Sequence, residues 1–509
     1  MIKRNLIANY LGSGWSALMG LAFVPLYIKY LGIEAYGLIG LFAVLTAWLS
    51  LLDMGMTPTL GREIARLSAG AHTPQSIRDL LRSLEIIVFS FALVIAGGVW
   101  IGADWLASNW LRPERLPVSA VARALSMMAL VVSLRFCEGI YRSGIIGLQQ
   151  QVWFNAANAT LQTLRYAGAV VVLGYVSGTI EAFFLWQAGI SLLTLGIFKN
   201  RLHRKLPVAP KSSSFSRKAI RDIGQFAGGM LCINILVLLL TQVDKMLLSN
   251  LLSLQHYGYY MLAGAIAGIV PIVISPITQS LYPRLVELHA SGDEAALARL
   301  FHQGAQLVTF VTTPLMLILS VFPEAVLYVW SGDSQLATNT APILTPLVVG
   351  SFLNGLMWMP YQTQLAHGWT SLTIKVNAFA VAILVPAIFL VVPIYGAVGA
   401  AWIWVVLNSA YVIISAQLMY RKILINEKWL WYCHDLISQI TAGLVVVGFF
   451  YFFIKMPLEA TRLQWLLYLL LVGLFSALIV LLASRLLRAK ARVLMAHLLT
   501  ISHLTDKKT

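Results

Sequence analysis

Charged side chains are scarce in this sequence. Only 11% of its 509 residues are Asp, Glu, Lys or Arg, whereas 59% are hydrophobic. Soluble domains carry about 25% charged residues, so this composition excludes a large soluble domain. Apolar runs recur along nearly the whole chain instead, and a helix of about 20 apolar residues crosses the hydrocarbon core of a bilayer. Because lipid offers the backbone no hydrogen bonds, these runs predict an all-α polytopic membrane protein.

Cysteines and the motifs of soluble enzymes are equally scarce. The three cysteines, Cys137, Cys232 and Cys433, lie in or beside apolar runs without metal-ligand spacing, which predicts small core residues. No glycine pattern for binding phosphate or a dinucleotide occurs. The loops that contain His72 and His203 hold no second ligand at metal spacing. The sequence therefore predicts no enzyme activity, no cofactor, no metal site and no consumption of ATP.

The apolar runs divide into fourteen predicted spans, and the basic residues orient them. Of the 36 Lys and Arg residues, 27 lie on one side of the predicted topology and six on the other, while Arg135, Arg165 and Lys245 lie inside spans. Basic residues concentrate on the cytoplasmic side, so both termini are predicted to be cytoplasmic. The net charge of +16 then reflects topology and anionic lipid, not nucleic acid. The predicted spans are 7–28, 36–59, 84–106, 118–146, 152–174, 178–199, 223–251, 256–282, 299–322, 340–366, 371–392, 396–420, 434–454 and 463–486.

The two halves of the chain match each other at a nearly constant offset. Tyr36-Gly37 matches Tyr257-Gly258 at an offset of 221 residues, and three further pairs match at 220: Tyr141 with Tyr361, Tyr175 with Tyr395, and Arg201 with Arg421. A steady offset over six spans indicates two parallel, pseudo-symmetric copies. The predicted domains are a six-helix bundle at 1–200, a cytoplasmic linker at 201–222, a second six-helix bundle at 223–425, two additional helices at 426–486 and a basic cytoplasmic tail at 487–509.

Polar residues form stripes inside several predicted spans. In span five, Asn155, Asn158, Gln162 and Arg165 are spaced three, four and three apart, so they share one helix face. Two explanations remain open for such a stripe. Either the polar groups hold neighbouring helices together, or they face a wet cavity. For Arg165, which lies near mid-depth without a carboxylate in its own span, the second explanation is favoured.

The other buried charges have similar alternatives. In span four, Glu138 lies three residues from Arg135 and four from Arg142, so it either neutralises an arginine within one helical turn or has its own role. Asp53, near the inner end of span two, either pairs with one of these arginines or binds a coupling ion. Asp244 and Lys245 in span seven are adjacent and are therefore expected to face different directions.

Two segments carry a family resemblance. Pro25-Leu26-Tyr27-Ile28-Lys29-Tyr30-Leu31-Gly32, followed by Tyr36-Gly37-Leu38, resembles the opening of the polysaccharide-biosynthesis transporters. Leu52-Asp53-Met54-Gly55, with Leu60, Arg62 and Ala65, extends the resemblance. These transporters are the Wzx-type O-antigen and exopolysaccharide flippases, whose superfamily also contains multidrug antiporters and lipid II flippases.

The resemblance implies a substrate and roles for the buried polar residues. It implies that an undecaprenyl-diphosphate-linked oligosaccharide moves from the cytoplasmic to the periplasmic leaflet of the bacterial inner membrane. Two bundles would enclose a cationic lumen, coupling would use a proton or sodium ion, and polymerase and ligase components are candidate partners. The residues expected to bind substrate are Arg165, Arg135, Lys245, Asn155, Asn158 and Gln162. Those expected to couple ions are Asp53, Glu138 and Asp244.

Three alternatives compete with this hypothesis. Multidrug antiporters of the superfamily often use an acidic residue in the first span, and none lies between Asn5 and Ile28. Lipid II flippases carry arginines around the first two spans, and the first span here has none. Both alternatives are thereby weakened. The third is a membrane scaffold for glycan assembly that transports nothing.

Overall fold

A computed structural model describes most of the chain. The described residues are 2–49, 53, 56–67, 72–217, 235, 237–454, 456–457 and 460–484. Several predictions fall outside this part of the chain, including Cys232, the first residues of span seven, the end of the linker and the basic tail. Contacts group the chain into two compact units, Met1–Met261 and Leu262–Thr509. The predicted domain bounds, which separate the halves at 222/223, stay a prediction.

The described residues form helices and connecting turns without any β-strand, as the apolar runs predict. Helices α1 to α10 are Ile2–Ala22, Val24–Leu31, Ile33–Leu49, Met56–Leu67, Pro74–Trp105, Val118–Gly147, Gln151–Tyr175, Ile180–Lys205, 237–251 and Leu254–Ala267. Helices α11 to α20 are Ile269–Ala290, Glu294–Val321, Pro323–Ser331, Ser334–Leu356, Trp358–Ala366, Thr370–Ala410, Ala416–Tyr420, Lys428–Leu430, Ser438–Phe453 and Arg462–Ala483. Three π-helical turns continue existing helices, at Leu106–Trp110, Tyr411–Ser415 and Trp431–Ile437.

Ten helices in the described part of the chain are long and apolar enough to cross a membrane. The number fourteen therefore stays a prediction, and the difference has local causes. One continuous run, Thr370–Tyr420, covers two predicted spans and contains a break at Gly396 (φ 58°, ψ −146°). Predicted span two is divided: α3 ends at Leu49, and α4 starts at Met56. Helix α7 corresponds to predicted span five. It is not among the ten helices because its polar stripe lowers its mean hydropathy.

In the first unit, α6 is the central helix. It packs against α3, α4, α5 and α8, and the cluster of apolar side chains around it includes Leu60, Leu84, Ile140 and Phe198. In contrast, only 17% of the most apolar part of the run Pro74–Trp110 is buried inside the protein. Polar contacts fix the connections between helices. The carboxylate of Glu34 on α3 accepts the backbone N–H groups of Glu114, Arg115 and Leu116 in the α5–α6 connection at 2.7–3.2 Å.

Helices α3 and α10 approach each other closely at their first turns. They begin at Ile33 and Leu254, an offset of 221 that equals the offset of the Tyr-Gly pairs in the sequence. A Cβ atom on Gly258 would lie 2.3 Å from the carbonyl oxygen of Ile33, and one on Gly37 would lie 2.7 Å from that of Leu254. Glycine at both matched positions therefore lets two equivalent helix ends come into backbone contact.

In the second unit, α12 and α14 are the most buried helices. Helix α12 packs against α11, α14, α19 and α20, and α14 packs against α16. The two additional helices, α19 and α20, therefore dock directly on the centre of this unit. One cysteine prediction is wrong here: Cys137 is buried as expected, but Cys433 is exposed, because the turn Trp431–Ile437 directs Trp431 and Asp435 inward instead.

Candidate functional site

Five polar side chains meet near the middle of three helices of the first unit. Helix α6 contributes Arg135 and Glu138 at i and i+3, α7 contributes Arg165, and α8 contributes Gln187 and Ser191 at i and i+4. These spacings put the paired residues of α6 and of α8 on one helix face. We call these five residues the mid-span polar cluster.

Arg165 is the most buried charge of the mid-span polar cluster. The residue is only 5% exposed. Its Nη2 atom lies 3.5 Å from Oε1 of Glu138, an ion pair between α7 and α6, and donates to Oγ of Ser191 at 3.4 Å. One buried cation thus contacts two neighbouring helices, as is usual for charges that face the interior of a helical bundle.

Arg135 has a different set of partners. Its Nη2 atom donates to Oε1 of Gln187 at 3.0 Å, and its guanidinium carbon lies 4.6 Å from the ring centroid of Phe42 on α3. A guanidinium over an aromatic face is stabilised by the ring quadrupole. Arg135 therefore extends the mid-span polar cluster from α8 to α3.

The mid-span polar cluster has more hydrogen-bond donors than acceptors. Among the described residues, Nε of Arg135 and Nε of Arg165 are shielded from solvent and have no hydrogen-bond partner. Oε1 of Glu138 makes the ion pair but no hydrogen bond. The two guanidiniums and the one carboxylate of the cluster together leave an excess of one positive charge. Buried polar groups normally find partners, so this arrangement is suited to an anionic ligand.

The amides of the α7 stripe pack mainly against α1. Nδ2 of Asn155 donates to Oδ1 of Asn9 at 2.7 Å, and Nδ2 of Asn158 lies 3.4 Å from Oγ of Ser16. These contacts favour a helix-packing role for both asparagines. Gln162 differs, because its Oε1 atom is shielded and has no hydrogen-bond partner among the described residues.

Asp53 caps a helix. Its carboxylate accepts the backbone N–H of Thr57 at 3.0 Å, near the start of α4. No ion pair joins Asp53 to Arg135 or Arg142 within the described ranges. Arg142 is exposed, and its guanidinium lies 5.3 Å from the ring centroid of Phe154. The known contacts of Asp53 are therefore structural, and its ion-coupling role stays a prediction.

Asp244 and Lys245 contact each other, although we expected these adjacent residues to face different directions. The long Lys245 side chain bends back along α9, so that Nζ donates to the Thr241 carbonyl at 2.6 Å and lies 3.4 Å from Oδ1 of Asp244. Tyr260 on α10 donates to the other oxygen of Asp244 at 2.8 Å. The contacts described for Lys245 do not include Arg135 or Arg165, so it is not part of the mid-span polar cluster.

Glu63, in the second half of α4, lies outside the predicted spans and pairs with two basic side chains. Nε2 of His72 lies 2.7 Å from its carboxylate, and Nη1 of Arg66 lies 2.9 Å from it. Burial opposes the negative charge, but the hydrogen bonds from His72 and Arg66 outweigh it and lower the pKa of Glu63. The Glu63 carboxylate therefore stabilises the folded state when it is ionised.

The second unit contains a buried polar network that the sequence analysis missed. His302 on α12 is hydrogen-bonded through Nδ1 to Asp435, and its Nε2 lies 3.1 Å from Oε2 of Glu427. Gln306 donates to the other oxygen of Asp435 at 2.7 Å and accepts from Ser484, at the end of α20, at 2.7 Å. We call these residues the His302 network. The spacing of His302 and Gln306, four residues apart in an apolar run, was the available signal.

Gln187, Ser191 and Phe42 were missed as well. Gln187 and Ser191 also lie four residues apart inside a predicted span, the spacing that identified the stripe on α7. Phe42 carries no such signal, because an aromatic residue in an apolar span is ordinary.

The all-helical fold is that of a polytopic membrane protein and is shared with solved transporters. Two solved transporters share the fold. "Lipid II flippase MurJ, inward closed conformation" has a TM-score of 0.66 at 12% identity, with 94% of this chain and 97% of that chain covered. An inward-facing multidrug transporter of the MATE family has a TM-score of 0.62 at 14% identity, with 82% and 96% covered.

The chain belongs to the polysaccharide biosynthesis protein family, whose model matches residues 2–289. A relative in Shigella flexneri, described as "Putative O-antigen transporter", is 21% identical over 431 residues, which are 82% of this chain and 96% of the relative. The resemblance seen in the opening motifs is thereby confirmed at the level of the family, and the relatives are transporters.

Proposed function

We propose that this protein moves an undecaprenyl-diphosphate-linked oligosaccharide from the cytoplasmic to the periplasmic leaflet of a bacterial inner membrane. The observation that carries the proposal is the mid-span polar cluster, which places two guanidiniums and one carboxylate inside the first unit. The family, and a relative described as an O-antigen transporter, support this class of substrate.

A diphosphate is the part of this substrate that most needs cationic partners. Phosphate oxygens accept charge-assisted hydrogen bonds, which are roughly twice as strong as neutral ones, and the planar guanidinium fork suits them. Arg135 and Arg165 each have a shielded Nε–H group without a partner among the described residues. Both arginines therefore supply donors that a bound diphosphate would satisfy.

Glu138 gives this site a means of coupling. In the structure it is the ion-pair partner of Arg165. A diphosphate competes with Glu138 for that guanidinium, so substrate binding and protonation of Glu138 favour each other. Glu138→Gln should keep substrate binding and lose the dependence of apparent substrate affinity on pH. An affinity of Glu138→Gln that varies with pH as the wild-type affinity does would contradict this coupling role.

The topology supports the direction of transport. With 27 of 36 basic residues on one predicted side, both termini lie in the cytoplasm, where lipid-linked oligosaccharides are assembled. Alternating access between two related helical bundles then exposes the cluster to each leaflet in turn. Polymerase and ligase components acting on the periplasmic product are the expected partners.

The proposal is tested with purified protein in proteoliposomes that contain the lipid-linked oligosaccharide. Arg165→Ala removes a charge-assisted contact worth about 1.5–3 kcal/mol, so we expect apparent substrate affinity to fall about 10- to 100-fold. Arg123→Ala is the matched control. It breaks an exposed Arg–Glu pair, 3.0 Å between Nη2 of Arg123 and Oε1 of Glu181, on the same helix α6.

Two outcomes would count against this function. Folded Arg165→Ala protein that flips the oligosaccharide at the wild-type rate would refute the role of the cluster. Unchanged flipping combined with greater export of cationic dyes by Arg165→Ala would instead favour a multidrug antiporter, because the excess positive charge of the cluster repels such substrates. Competition by lipid II at equal affinity would favour the lipid II alternative.

A further inference from the structure

Three side chains of metal-ligating type meet at the ends of three helices in the second unit. His289 lies at the end of α11, Glu294 is the first residue of α12, and His367 directly follows α15. Their ligand atoms all lie within 4.8 Å of one another. The cluster is separate from the mid-span polar cluster and from the His302 network.

A hydrogen bond at Nδ1 of His367 leaves the other ring nitrogen, Nε2, available as a metal ligand. Its Nδ1 atom lies 2.8 Å from the carbonyl oxygen of Thr363. A carbonyl oxygen can only accept, so Nδ1 carries the proton and Nε2 keeps its lone pair. Metal-ligating histidines commonly have this arrangement, because the hydrogen bond fixes both the tautomer and the direction of the ring.

His289 presents the second nitrogen. Its Nδ1 atom is shielded from solvent and, within the described part of the chain, has no hydrogen-bond partner. The nearest carboxylate atom, Oε1 of Glu294, is 3.9 Å away, beyond hydrogen-bond distance. The imidazole rings of His289 and His367 lie 3.9 Å apart between centroids. A shielded nitrogen without a partner destabilises the folded protein, and a bound metal ion would supply the missing partner.

We propose that His289, Glu294 and His367 bind a zinc ion, with water as the fourth ligand. Two imidazoles and one carboxylate with an open position form a familiar zinc donor set. Imidazole ligands suit zinc and other late transition metals, whereas magnesium and calcium prefer oxygen ligands throughout. The donor set therefore selects a transition metal.

The distances fit this ion after a small movement. Zinc bonds to nitrogen and oxygen are about 2.0–2.2 Å, which places tetrahedral ligand atoms about 3.3 Å apart. The 3.9 Å between His289 and Glu294 must shorten by about 0.6 Å, and the widest separation by about 1.5 Å. The two imidazole rings, now 3.9 Å apart between centroids, must also open around the ion. Glu294 is exposed and His289 is half-buried, so both side chains have room to rotate. The ion would then join the α11–α12 turn to the end of α15.

Zinc titration of the full-length protein tests the site. Protein in detergent is stripped with a chelator, and bound zinc is measured by mass spectrometry together with the thermal unfolding temperature. We expect one tight zinc ion per chain and a zinc-dependent rise in the unfolding temperature. Cobalt(II) should replace zinc and give the intense visible absorption of a tetrahedral site.

The variants separate this site from adventitious binding. His289→Ala and His367→Ala should weaken zinc binding more than about 100-fold, since disturbing a group that merely orients a ligand already costs 10- to 100-fold. Glu294→Gln changes an exposed residue, so it keeps the fold and still must weaken binding. His256→Ala, which alters an exposed histidine of the first unit, is the matched control and should bind like wild type. Absence of stoichiometric zinc, or equal zinc in all four variants, would overturn the proposal.

Discussion

Replacing His302 by alanine tests whether the His302 network holds the last two helices on the second unit. Asp435 is fully buried, and its two oxygens are hydrogen-bonded to His302 and Gln306. Removing one partner of a buried ion pair typically costs about 3–5 kcal/mol, because the remaining charge is left uncompensated. Gln306 still donates to Asp435 in this variant. We therefore expect the free energy of unfolding to fall by an amount near the lower end of this range, about 3 kcal/mol.

A paired substitution distinguishes this explanation from simple loss of packing. When His302 and Asp435 are both replaced by apolar residues of similar size, the fully buried carboxylate is gone and only the partly exposed Glu427 loses a partner. Such replacements of buried pairs are often neutral or stabilising. The double variant His302→Leu with Asp435→Leu should therefore be more stable than His302→Ala alone. Gln306 then loses one acceptor but keeps its contact with Ser484.

The measurement is the free energy of unfolding in mixed micelles, followed by circular dichroism and by limited proteolysis of the connection before α18. His302→Ala should unfold at lower denaturant and be cleaved faster in this connection. His256→Ala is again a suitable control. Wild-type stability of His302→Ala, or a double variant at least as unstable as the single one, would refute the view that uncompensated charge is the main cost.

Two smaller predictions follow from other contacts. Glu63→Gln should lower the free energy of unfolding by about 1.5–3 kcal/mol at pH 7, as expected for hydrogen bonds to a charged group. Because the folded pKa of Glu63 is lowered, this contribution is present above the unfolded pKa of about 4.3 and disappears as pH falls through the folded value, so thermal melts of variant and wild type should converge there. Gly258→Ala puts a Cβ atom 2.3 Å from the Ile33 carbonyl oxygen and should cost about 1–3 kcal/mol. Gly264→Ala, whose Cβ meets nothing within 4 Å, should leave melting unchanged.

Much of the fold could be predicted from the sequence because lipid imposes simple rules. Apolar runs must be helices, and the motifs at 25–38 identify the same family as the family match does. The division of span two between α3 and α4 could not be read from hydropathy, whereas the structure places Asp53 in a turn where its carboxylate accepts the N–H of Thr57 on α4. Similarly, the bend at Gly396 joins two predicted spans into one run without an intervening loop.

The candidate site could be predicted only in part, for a geometric reason. Helical periodicity shows which residues share a face, and it placed Glu138 near Arg135 and drew attention to Arg165. It does not show which helix packs against that face. The same stripe on α7 therefore meets α1 at Asn155 and α8 at Arg165. For the same reason His289 and His367, far apart in sequence, gave no sign of the shared site that we propose.

The buried charges of the two units differ in how completely their polar atoms are paired. In the His302 network, both ring nitrogens have carboxylate partners and both oxygens of Asp435 are hydrogen-bonded. The mid-span polar cluster contains two guanidiniums and one carboxylate, which forms an ion pair with Arg165. Each guanidinium keeps a shielded donor without a partner among the described residues. A satisfied network gains nothing from a ligand, because no donor or acceptor is left to pair. An entering anion would pair with the unsatisfied donors of the mid-span polar cluster, which is why we propose that this cluster, and not the His302 network, binds the substrate.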